Sequence, residues 1–153
     1  MIVKDLAAFD VKSCTPETDL ATAAKIMWDC DCGVVPVVNE ERKVVGVVTD
    51  RDICIAASTR AAKPSDIQVK DAMSRDVAVC GIGDDVHAAL KTMKERRVRR
   101  LPVINGQEQL AGVISLNDLV MRAQCRSGAE VSGEAFLDTM KAICTHTREA
   151  VPA

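Results

Sequence analysis

Two short motifs place a hydroxyl and a carboxylate three residues apart, each at the end of a run of apolar residues. They are Thr49 with Asp52 in GVVTDRD, and Ser115 with Asp118 in GVISLND. If a strand ends and a helix begins at each motif, the helix presents free N–H groups and a positive dipole end that attract phosphate. The carboxylate can accept two hydroxyl hydrogen bonds from a ribose, and the Ser or Thr hydroxyl can donate to a phosphate or a sugar.

The same spacing also fits a structural role, because a Ser or Thr followed three residues later by an acidic residue is close to a capping box. As caps alone, the motifs would each stabilise a helix by about 1 kcal/mol and bind no ligand. The occurrence of two such motifs with similar flanking residues favours binding over capping alone.

An internal repeat relates the two motifs. VKDLAAFDV begins at Val3 and VKDAMSRDV begins at Val69, and the offset of 66 residues then holds without a gap through both motifs. Across residues 3–54 and 69–120, 16 of 52 aligned positions are identical. This period is too long for a solenoid repeat and indicates duplication of a small module.

Each copy is predicted to contain the elements β-α-β-β-α. A short strand (VKSC or VAVC) precedes a helix that Thr18 or Asp84 caps. A buried strand (VVPVV or RLPVI), a turn and a third strand (VVGVV or LAGVI) follow, and the second helix begins at TDRDI or SLNDL. Continuous Val and Ile runs are typical of strands covered on both faces, so the fold class is α/β. One such unit buries too little apolar surface to be stable alone, and we expect the two copies to pack as a pair around one core.

These patterns divide the chain into a first motif at residues 1–60, a linker at 61–68, a second motif at 69–126 and a helical tail at 127–153. In the tail, Gly128 is predicted to end the last helix of the repeat and Ser132 to begin another helix. Five residues of that helix share an apolar face, which predicts a packing or dimerising helix: Phe136, Leu137, Met140, Ile143 and Cys144.

Composition excludes several classes of function. The chain of 153 residues is 48% hydrophobic, with 20 basic and 22 acidic residues, so its net charge of −2 gives no general attraction to nucleic acid or anionic membrane. Its one Trp and two Phe are too few for a single-strand stacking platform. No apolar run approaches the ~20 residues of a membrane span, and the N-terminus lacks a hydrophobic signal core. We therefore expect a cytoplasmic protein.

The spacing of the cysteines argues against a metal site, and the absence of known catalytic motifs argues against an enzyme. Seven cysteines are scattered along the chain, and no C-x-x-C motif occurs. Cys30 and Cys32 are too close together for a standard structural zinc knuckle, and only His87 and His146 could supply imidazole. Reduced thiols are therefore expected, with a disulfide or a metal site as the less favoured alternative. The chain has no glycine-rich phosphate loop and no G-x-S-x-G, so we do not expect an enzyme.

In these features the sequence resembles a pair of CBS domains, the cystathionine-β-synthase-type modules also called a Bateman module. The resemblance rests on VVPVV followed by GVVTDRD, on RLPVI followed by GVISLND, and on the lead-ins VKDLAAFDV and VKDAMSRDV. It covers roughly residues 1–125. With its extra C-terminal helix, the chain also resembles small stand-alone CBS proteins.

The resemblance implies a non-catalytic regulatory module that binds adenosine-containing ligands in two clefts between the copies. Such ligands include AMP, ADP, ATP and S-adenosylmethionine, and the nucleotide acts as a regulatory ligand rather than as a required cofactor. The resemblance implies a homodimer. Because about 30 residues lie outside the pair, a signal would have to pass to a separate effector protein or to the protein's own oligomer. Nucleic acid and membranes are not expected partners. The alternative is a dimerising interaction module whose nucleotide clefts are degenerate or empty.

The same resemblance implies which residues line each cleft. In the first site they are Ser13, Cys14, Thr15, Cys32, Gly33, Val34, Val35, Pro36, Thr49, Arg51 and Asp52. In the second site they are Val79, Cys80, Gly81, Val98, Arg99, Arg100, Leu101, Pro102, Ser115 and Asp118. Asp52 and Asp118 would hold the ribose, and the apolar members have core packing as their alternative role.

The two copies differ in charge near these sites. Residues 91–100, KTMKERRVRR, carry six basic residues and one acidic residue. Arg99 and Arg100 would hold phosphate at the second site, and Arg51 at the first, because arginine binds phosphate through two hydrogen bonds. A solvated turn is the second interpretation of this cluster and a nucleic-acid patch is the third. Because Gly33 in the first copy corresponds to Arg99, the two sites should differ in affinity.

Overall fold

The order of helices and strands is the same in both copies. The computed structural model describes residues 1–122 and 133–145. The first copy forms helix α1 (Leu20–Asp29), strands β1 (Val34–Val38) and β2 (Val44–Thr49) and helix α2 (Asp50–Arg60). The second copy forms strand β3 (Cys80–Gly81), helix α3 (Val86–Arg96), strands β4 (Arg100–Ile104) and β5 (Leu110–Ser115) and helix α4 (Leu116–Arg122). Helix α5 (Gly133–Cys144) follows, and 3-10 turns lie at Val3–Asp5, Pro64–Asp66 and Val69–Asp71.

The strands form two small sheets within the described residues, which confirms the predicted α/β class. β1 pairs antiparallel with β2, with Val34 opposite Thr49, and β3, β4 and β5 form a three-stranded sheet in that order. The last four residues of β1 are all buried. This strand is therefore covered on both faces, as its continuous apolar sequence predicts.

The first strand of each copy is shorter than predicted. Of VKSC only Cys14 forms a bridge, parallel to β1, and the strand predicted at VAVC is reduced to the two residues of β3. Each strand ends early because the backbone N–H groups of Thr15 and Gly81 donate to side chains instead of to a neighbouring strand. Thr18 Oγ1 accepts the Thr15 N–H at 3.1 Å, and Asp84 Oδ2 accepts the Gly81 N–H at 2.7 Å.

The N-caps of α1 and α3 also differ from the prediction by one residue. Asp19 and Asp85 cap these helices, and each accepts a backbone N–H of the first helical turn, at 2.9 and 2.8 Å respectively. The side chains of the predicted caps, Thr18 and Asp84, instead accept hydrogen bonds from the Thr15 and Gly81 N–H groups in the turn before each helix.

The chain divides into two compact units. One unit contains Met1–Phe9, Ala78–Val103 and the chain from Gly112 onward, and the other contains Asp10–Val77 and Ile104–Ala111. Each unit therefore includes the lead-in of the other sequence copy. Val3 donates its N–H to the Asp84 carbonyl at 2.9 Å, and Val69 donates to the Thr18 carbonyl at 2.8 Å. The motif boundaries at residues 60, 68 and 126 remain predictions from the sequence.

Most of the buried apolar side chains of the described residues belong to one of two clusters, where the sequence analysis expects one shared core. Leu101 and Leu119 belong to one cluster, and Leu20 belongs to the other. The lead-in residues Val3 and Val69 are fully buried, Val3 in the first of these clusters and Val69 in the second. The exchanged lead-ins thus supply apolar surface that a single copy lacks.

Helix α5 packs against the cluster that contains Leu101. Phe136, Met140 and Ile143 contact it, as the predicted apolar face requires, whereas Leu137 is 53% exposed and Cys144 is also exposed. The predicted apolar face therefore included two residues too many, because Leu137 and Cys144 lie on the side of α5 that faces solvent. Gly128 and Ser132 lie outside the described residues. Neither α5 nor any other helix of the described chain is long and apolar enough to cross a membrane.

Left-handed residues mark equivalent turns of the two copies. Asp31 and Arg97 have φ angles of 48° and 53°, and Arg42 and Glu108 both have φ angles of 62°. Each pair is separated by the repeat offset of 66 residues. The turns thus keep one backbone conformation although the residue types have changed.

Candidate functional site

The first motif forms a complete capping box at the start of α2. Thr49 is the last residue of β2, and Asp52 Oδ2 accepts both its N–H, at 2.9 Å, and its hydroxyl, at 2.7 Å. In return, the Asp52 N–H donates to Thr49 Oγ1 at 3.2 Å. The strand-to-helix junction predicted from the sequence is confirmed, and so is the capping role.

The second motif repeats this geometry. Asp118 Oδ2 accepts the N–H of Ser115 at 2.8 Å and its hydroxyl at 2.6 Å, and the Asp118 N–H donates to Ser115 Oγ at 3.3 Å. The two carboxylates are therefore held in the same way after β2 and after β5.

Capping leaves part of each carboxylate available. Within residues 1–122 and 133–145, Asp52 accepts hydrogen bonds only from Thr49, and Asp118 only from Ser115, in both cases through Oδ2. Both acidic residues are half-buried rather than enclosed. Oδ1 of each can therefore accept a hydroxyl hydrogen bond from a ligand while the cap stays intact.

The first-copy candidates lie along β1: Val34 at its start stands beside the junction of β2 with α2, whereas Cys14 pairs with Val37 towards its other end. Val34 lies opposite Thr49 in the sheet, and it is half-buried, as are Cys32 and Gly33. Cys14 hydrogen-bonds through its backbone to Pro36 and Val38 of β1, which brings its neighbours Ser13 and Thr15 to the same strand. Val35 and Pro36 are buried, so their side chains pack in the core.

The second-copy candidates have a similar arrangement. The Arg99 carbonyl accepts the N–H of Leu116, the residue after Ser115, at 3.0 Å, so the segment before β4 lies beside the second motif. Arg99 is exposed and Arg100 is half-buried, as are three further candidates: Val79, Gly81 and Val98. Leu101 and Pro102 are buried in the same way as their first-copy equivalents.

Cys14 and Cys80 are core residues rather than reactive groups. Burial raises the pKa of the Cys14 thiol to about 11. Burial and the nearby charge of Asp84 raise that of Cys80 to about 12. Both thiols are therefore protonated near neutral pH, and a protonated thiol is a poor nucleophile and a poor metal ligand.

Charge distinguishes the two candidate sites. Arg97 and Arg99 are exposed where the first copy has Asp31 and Gly33, while Arg51 is exposed in the first turn of α2. Part of the basic cluster is already paired on α3, with Lys91 to Glu95 at 3.8 Å and Lys94 to Asp138 at 3.3 Å. The segment before β4 thus carries exposed basic residues that the equivalent segment of the first copy lacks.

The sequence analysis named Thr18 and Asp84 as helix caps and missed their role in the turns before α1 and α3. Thr18 and Asp84 fix the backbone next to the candidates Thr15 and Gly81. They are equivalent in the repeat but differ in residue type, so identity at the repeat offset could not reveal them. The spacing of a polar side chain three residues after Thr15 and Gly81 was the available signal. Among the described residues, no group of three or more His, Cys, Asp or Glu side chains could hold a metal ion.

Comparison with known proteins identifies the repeated module. The sequence model of the CBS domain matches residues 3–58 and again 69–124. The chain belongs to the CBS domain family. Each matched CBS segment contains one of the two capping motifs, and the predicted resemblance is confirmed.

Relatives of this CBS protein include both short and long chains. The YlbB protein of Bacillus subtilis is 32% identical over 85% of this chain and 88% of its own length. Protein MK0525 of Methanopyrus kandleri is 28% identical over 77% of this chain and 60% of its own length. The inosine-5'-monophosphate dehydrogenase of Methanocaldococcus jannaschii is 34% identical over 74% of this chain but only 22% of the enzyme. This chain thus spans less than two thirds of the last two proteins, and the enzyme is matched only in its CBS part.

Solved structures share the fold of this CBS pair. The CBS domain protein TA0289 of Thermoplasma acidophilum has a TM-score of 0.77 at 20% identity, over 93% of this chain and 75% of its own. The CBS-domain protein ATU1752 of Agrobacterium tumefaciens has a TM-score of 0.69 at 29% identity, over 79% and 98%. The CBS domain pair of protein MJ0100, solved in complex with 5'-methylthioadenosine and S-adenosyl-L-methionine, has a TM-score of 0.70 at 22% identity, over 79% and 94%.

Proposed function

We propose that this protein is a non-catalytic regulatory module that binds adenosine-containing ligands, one at the Thr49 and Asp52 motif and one at the Ser115 and Asp118 motif. The observation that carries the proposal is the repeated carboxylate geometry, in which the cap uses Oδ2 and, among the described residues, Oδ1 accepts no hydrogen bond. The MJ0100 CBS domain pair, which has the same fold, was solved with two adenosine-containing ligands. Its ligands share their adenosine part with AMP, ADP and ATP, which supports an adenine nucleotide here.

In this proposal each part of the nucleotide meets a matching group. The ribose hydroxyls donate to Oδ1 of Asp52, and the phosphate lies at the start of α2, where the positive end of the helix dipole and the exposed Arg51 favour an anion. The adenine lies against the aliphatic side chain of Val34, which is half-buried beside Thr49 in the sheet. At the second site the exposed guanidinium of Arg99 adds a cation for phosphate.

A regulatory module of this kind needs another protein to respond to the bound ligand. We propose a homodimer that reports ligand binding to a separate effector, with the ligand shifting a pre-existing balance of conformations. The same proposal places the protein in the cytoplasm, where adenine nucleotides are abundant metabolites that a regulatory site can sense.

A thermal-shift panel of adenosine compounds, followed by calorimetric titration, tests this function. A ligand at 100 times its dissociation constant stabilises a one-site protein by about 2.7 kcal/mol, which raises the melting temperature measurably. We expect AMP or ATP to raise it, and GTP to serve as the base-specificity control. If no adenosine compound shifts the melting temperature and native mass spectrometry detects no bound ligand, the sensor function is wrong.

The second candidate is an interaction module that dimerises without a ligand. Ile55 on α2 and Met121 on α4 are equivalent in the repeat, and they are 48% and 82% exposed. An exposed apolar side chain at the same helix position of each copy fits a self-association contact made by that helix. Sedimentation with and without ATP separates the candidates, because a dimer in the absence of any nucleotide response favours this second function.

A further inference from the structure

Two cysteines flank a single left-handed residue at the end of α1. Cys30 is exposed, Cys32 is half-buried, and Asp31 between them has a φ of 48°. The Cys30 N–H donates to the Ile26 carbonyl at 3.0 Å, and the Cys32 N–H donates to the Met27 carbonyl, also at 3.0 Å. The chain therefore turns back on the helix within these three residues.

The Cα separation expected for this turn lies within the range that disulfides join. Successive Cα atoms are ~3.8 Å apart, and a residue in the left-handed helical region folds two such steps to a span of about 5.5 Å. Disulfides join Cα atoms that are roughly 4.4–6.8 Å apart, most often near 5.5–6 Å. An extended residue would instead place the cysteines at the upper limit of that range, because a strand rises ~3.4 Å per residue. The left-handed conformation of Asp31 thus favours a bond between Cys30 and Cys32.

The second copy shows that the turn does not depend on the thiols. Arg96, Arg97 and Val98 occupy the equivalent positions, Arg97 has a φ of 53°, and the Val98 N–H donates to the Met93 carbonyl at 3.0 Å. The backbone is therefore the same without cysteine. Folding does not require the pair of thiols in the first copy, which leaves them available for chemistry.

We propose that Cys30 and Cys32 are a redox modification site that forms a reversible disulfide and thereby lowers ligand affinity at the first site. The coupling to affinity rests on the proposed function, whereas disulfide formation does not. The oxidant we infer is a low-molecular-weight disulfide such as oxidised glutathione.

The exchange proceeds in two balanced steps. The exposed Cys30 thiolate attacks one sulfur of oxidised glutathione, forming a mixed disulfide and releasing the first glutathione thiolate. The Cys32 thiolate then attacks the Cys30 sulfur, closing the protein disulfide and releasing the second glutathione thiolate. The two protons lost by the cysteines pass to the two glutathione thiolates, so the protein is oxidised and glutathione is reduced.

One hydrogen bond and one pair of strands connect Cys32 to the first site. Cys32 Sγ donates to the Val34 carbonyl at 3.4 Å, and a disulfide removes that proton. Val34 lies opposite Thr49 in the sheet, and the Thr49 hydroxyl donates to Asp52. Oxidation therefore changes the strand end that borders the proposed ribose carboxylate.

The first experiment asks whether the disulfide forms. A variant with Cys54, Cys125 and Cys144 changed to Ser is incubated with oxidised glutathione, and its intact mass and tryptic peptides are measured. We expect the loss of two hydrogen atoms in the peptide that contains Cys30 and Cys32, with reversal by dithiothreitol. A persistent glutathione adduct, or no reaction, would overturn the proposal.

A transplant of the cysteines provides the matched control. In a Cys30→Ser and Cys32→Ser background, Arg96→Cys with Val98→Cys places two thiols on the equivalent left-handed turn. We expect this pair to close as well, because the turn is the same. If the natural pair closes and the transplanted pair does not, the argument from backbone geometry is wrong.

The second experiment asks whether the disulfide matters for binding. ATP is titrated into the oxidised and the reduced protein in an Asp118→Ala background, which isolates the first site. We expect the oxidised form to bind about fivefold more weakly, a change of the size of the one hydrogen bond that oxidation removes from the strand end beside the site. Equal affinity in the two states would overturn the coupling. Absence of ATP binding in both states would overturn the proposed function together with the coupling, while the mass measurement would still decide the disulfide.

Discussion

Ala8 and Val113 exchange two backbone hydrogen bonds, of 3.0 and 2.9 Å, directly beside Gly112. Ser74 and Val47 make the equivalent pair, of 2.9 and 3.0 Å. In each case the lead-in of one sequence copy lies against the third strand of the other copy. This exchange explains why the repeated motif contains a glycine before its apolar residues, since the lead-in backbone passes directly over that position.

We predict that Gly112→Ala destabilises the protein more than Gly46→Ala. A Cβ on Gly112 would meet the Ala8 carbonyl oxygen, which belongs to a hydrogen-bonded backbone. A Cβ on Gly46 would first meet the flexible Met73 Sδ, at 2.6 Å. Overpacking of this kind costs roughly 1–3 kcal/mol, and we expect Gly112→Ala at the upper end of that range. Urea unfolding measures both values, and a larger loss for Gly46→Ala would contradict the lead-in contact described here.

We predict that Asp52→Ala combined with Asp118→Ala abolishes the nucleotide-dependent thermal shift while the protein stays folded. Both substitutions remove the carboxylate oxygen that is open to a ribose. They also remove the carboxylate half of each capping box while Thr49 and Ser115 remain as caps, so each should lower the free energy of unfolding by less than the ~1 kcal/mol of a lost N-cap. Thermal shift with ATP, together with circular dichroism, measures the two effects separately.

Asp50→Ala is the matched control for that double variant. Asp50 lies in the same first turn of α2 and is exposed, but it takes no part in the capping box. It should therefore keep the ATP response. If the double variant keeps its response too, the ligand binds elsewhere and the assignment of Asp52 and Asp118 is wrong.

We predict two classes of nucleotide site with different affinities. Arg99 and Arg100 stand next to the second motif, whereas the first copy has Gly33 and Val34 at the equivalent positions. Arg99→Gln with Arg100→Gln should weaken ATP binding at one site more than AMP binding, because ATP carries the larger negative charge. Calorimetric titration of both nucleotides measures this, and two identical sites in the unmodified protein would count against it.

The motif junctions could be predicted from the sequence because their evidence is local. A hydroxyl, a carboxylate three residues later and a preceding apolar run specify a strand, a cap and a helix, as found at Thr49 and Ser115. The N-caps of α1 and α3 were predicted one residue early because Thr18 and Asp19 are both suitable caps. The choice between them depends on a preceding turn that competes for the Thr18 hydroxyl.

Other features depend on contacts that are distant along the chain. The exchange of lead-ins, and the two apolar clusters that result, cannot be inferred from a repeat whose copies look equivalent. Within the candidate sites, the continuous apolar run of VVPVV has no alternation. Its pattern therefore could not show that Val35 is fully buried while Val34 is only half-buried.

We predict that Asp19 and Asp85 contribute to acid sensitivity. Hydrogen bonds from the Thr22 hydroxyl and N–H hold the pKa of Asp19 below its usual value, and those from the His87 N–H and ring do so for Asp85. Because the folded pKa is depressed, the stabilisation is complete above the unfolded pKa and is lost as the pH falls through the folded pKa.

A double variant, Asp19→Asn with Asp85→Asn, isolates this contribution because asparagine also caps helices but does not titrate. Its free energy of unfolding should fall less steeply below about pH 4 than that of the unmodified protein. Urea unfolding across a pH series measures the slope, with Asp10→Asn as the control at an exposed carboxylate outside both helices. Identical slopes for the double variant and the unmodified protein would exclude the two caps as a source of acid sensitivity.

We predict that α5 stabilises its unit through one face only. Phe136→Ala removes a half-buried ring that contacts the cluster containing Leu101, and it should cost about 2 kcal/mol, below the full value for a completely buried Phe. Leu137→Ala, at the neighbouring residue, removes a side chain that is 53% exposed and should cost well under half as much. Urea unfolding of the two variants gives the comparison. Equal losses would place both faces of α5 in contact with other residues, and a larger loss for Leu137→Ala would mean that the helix packs through the opposite face.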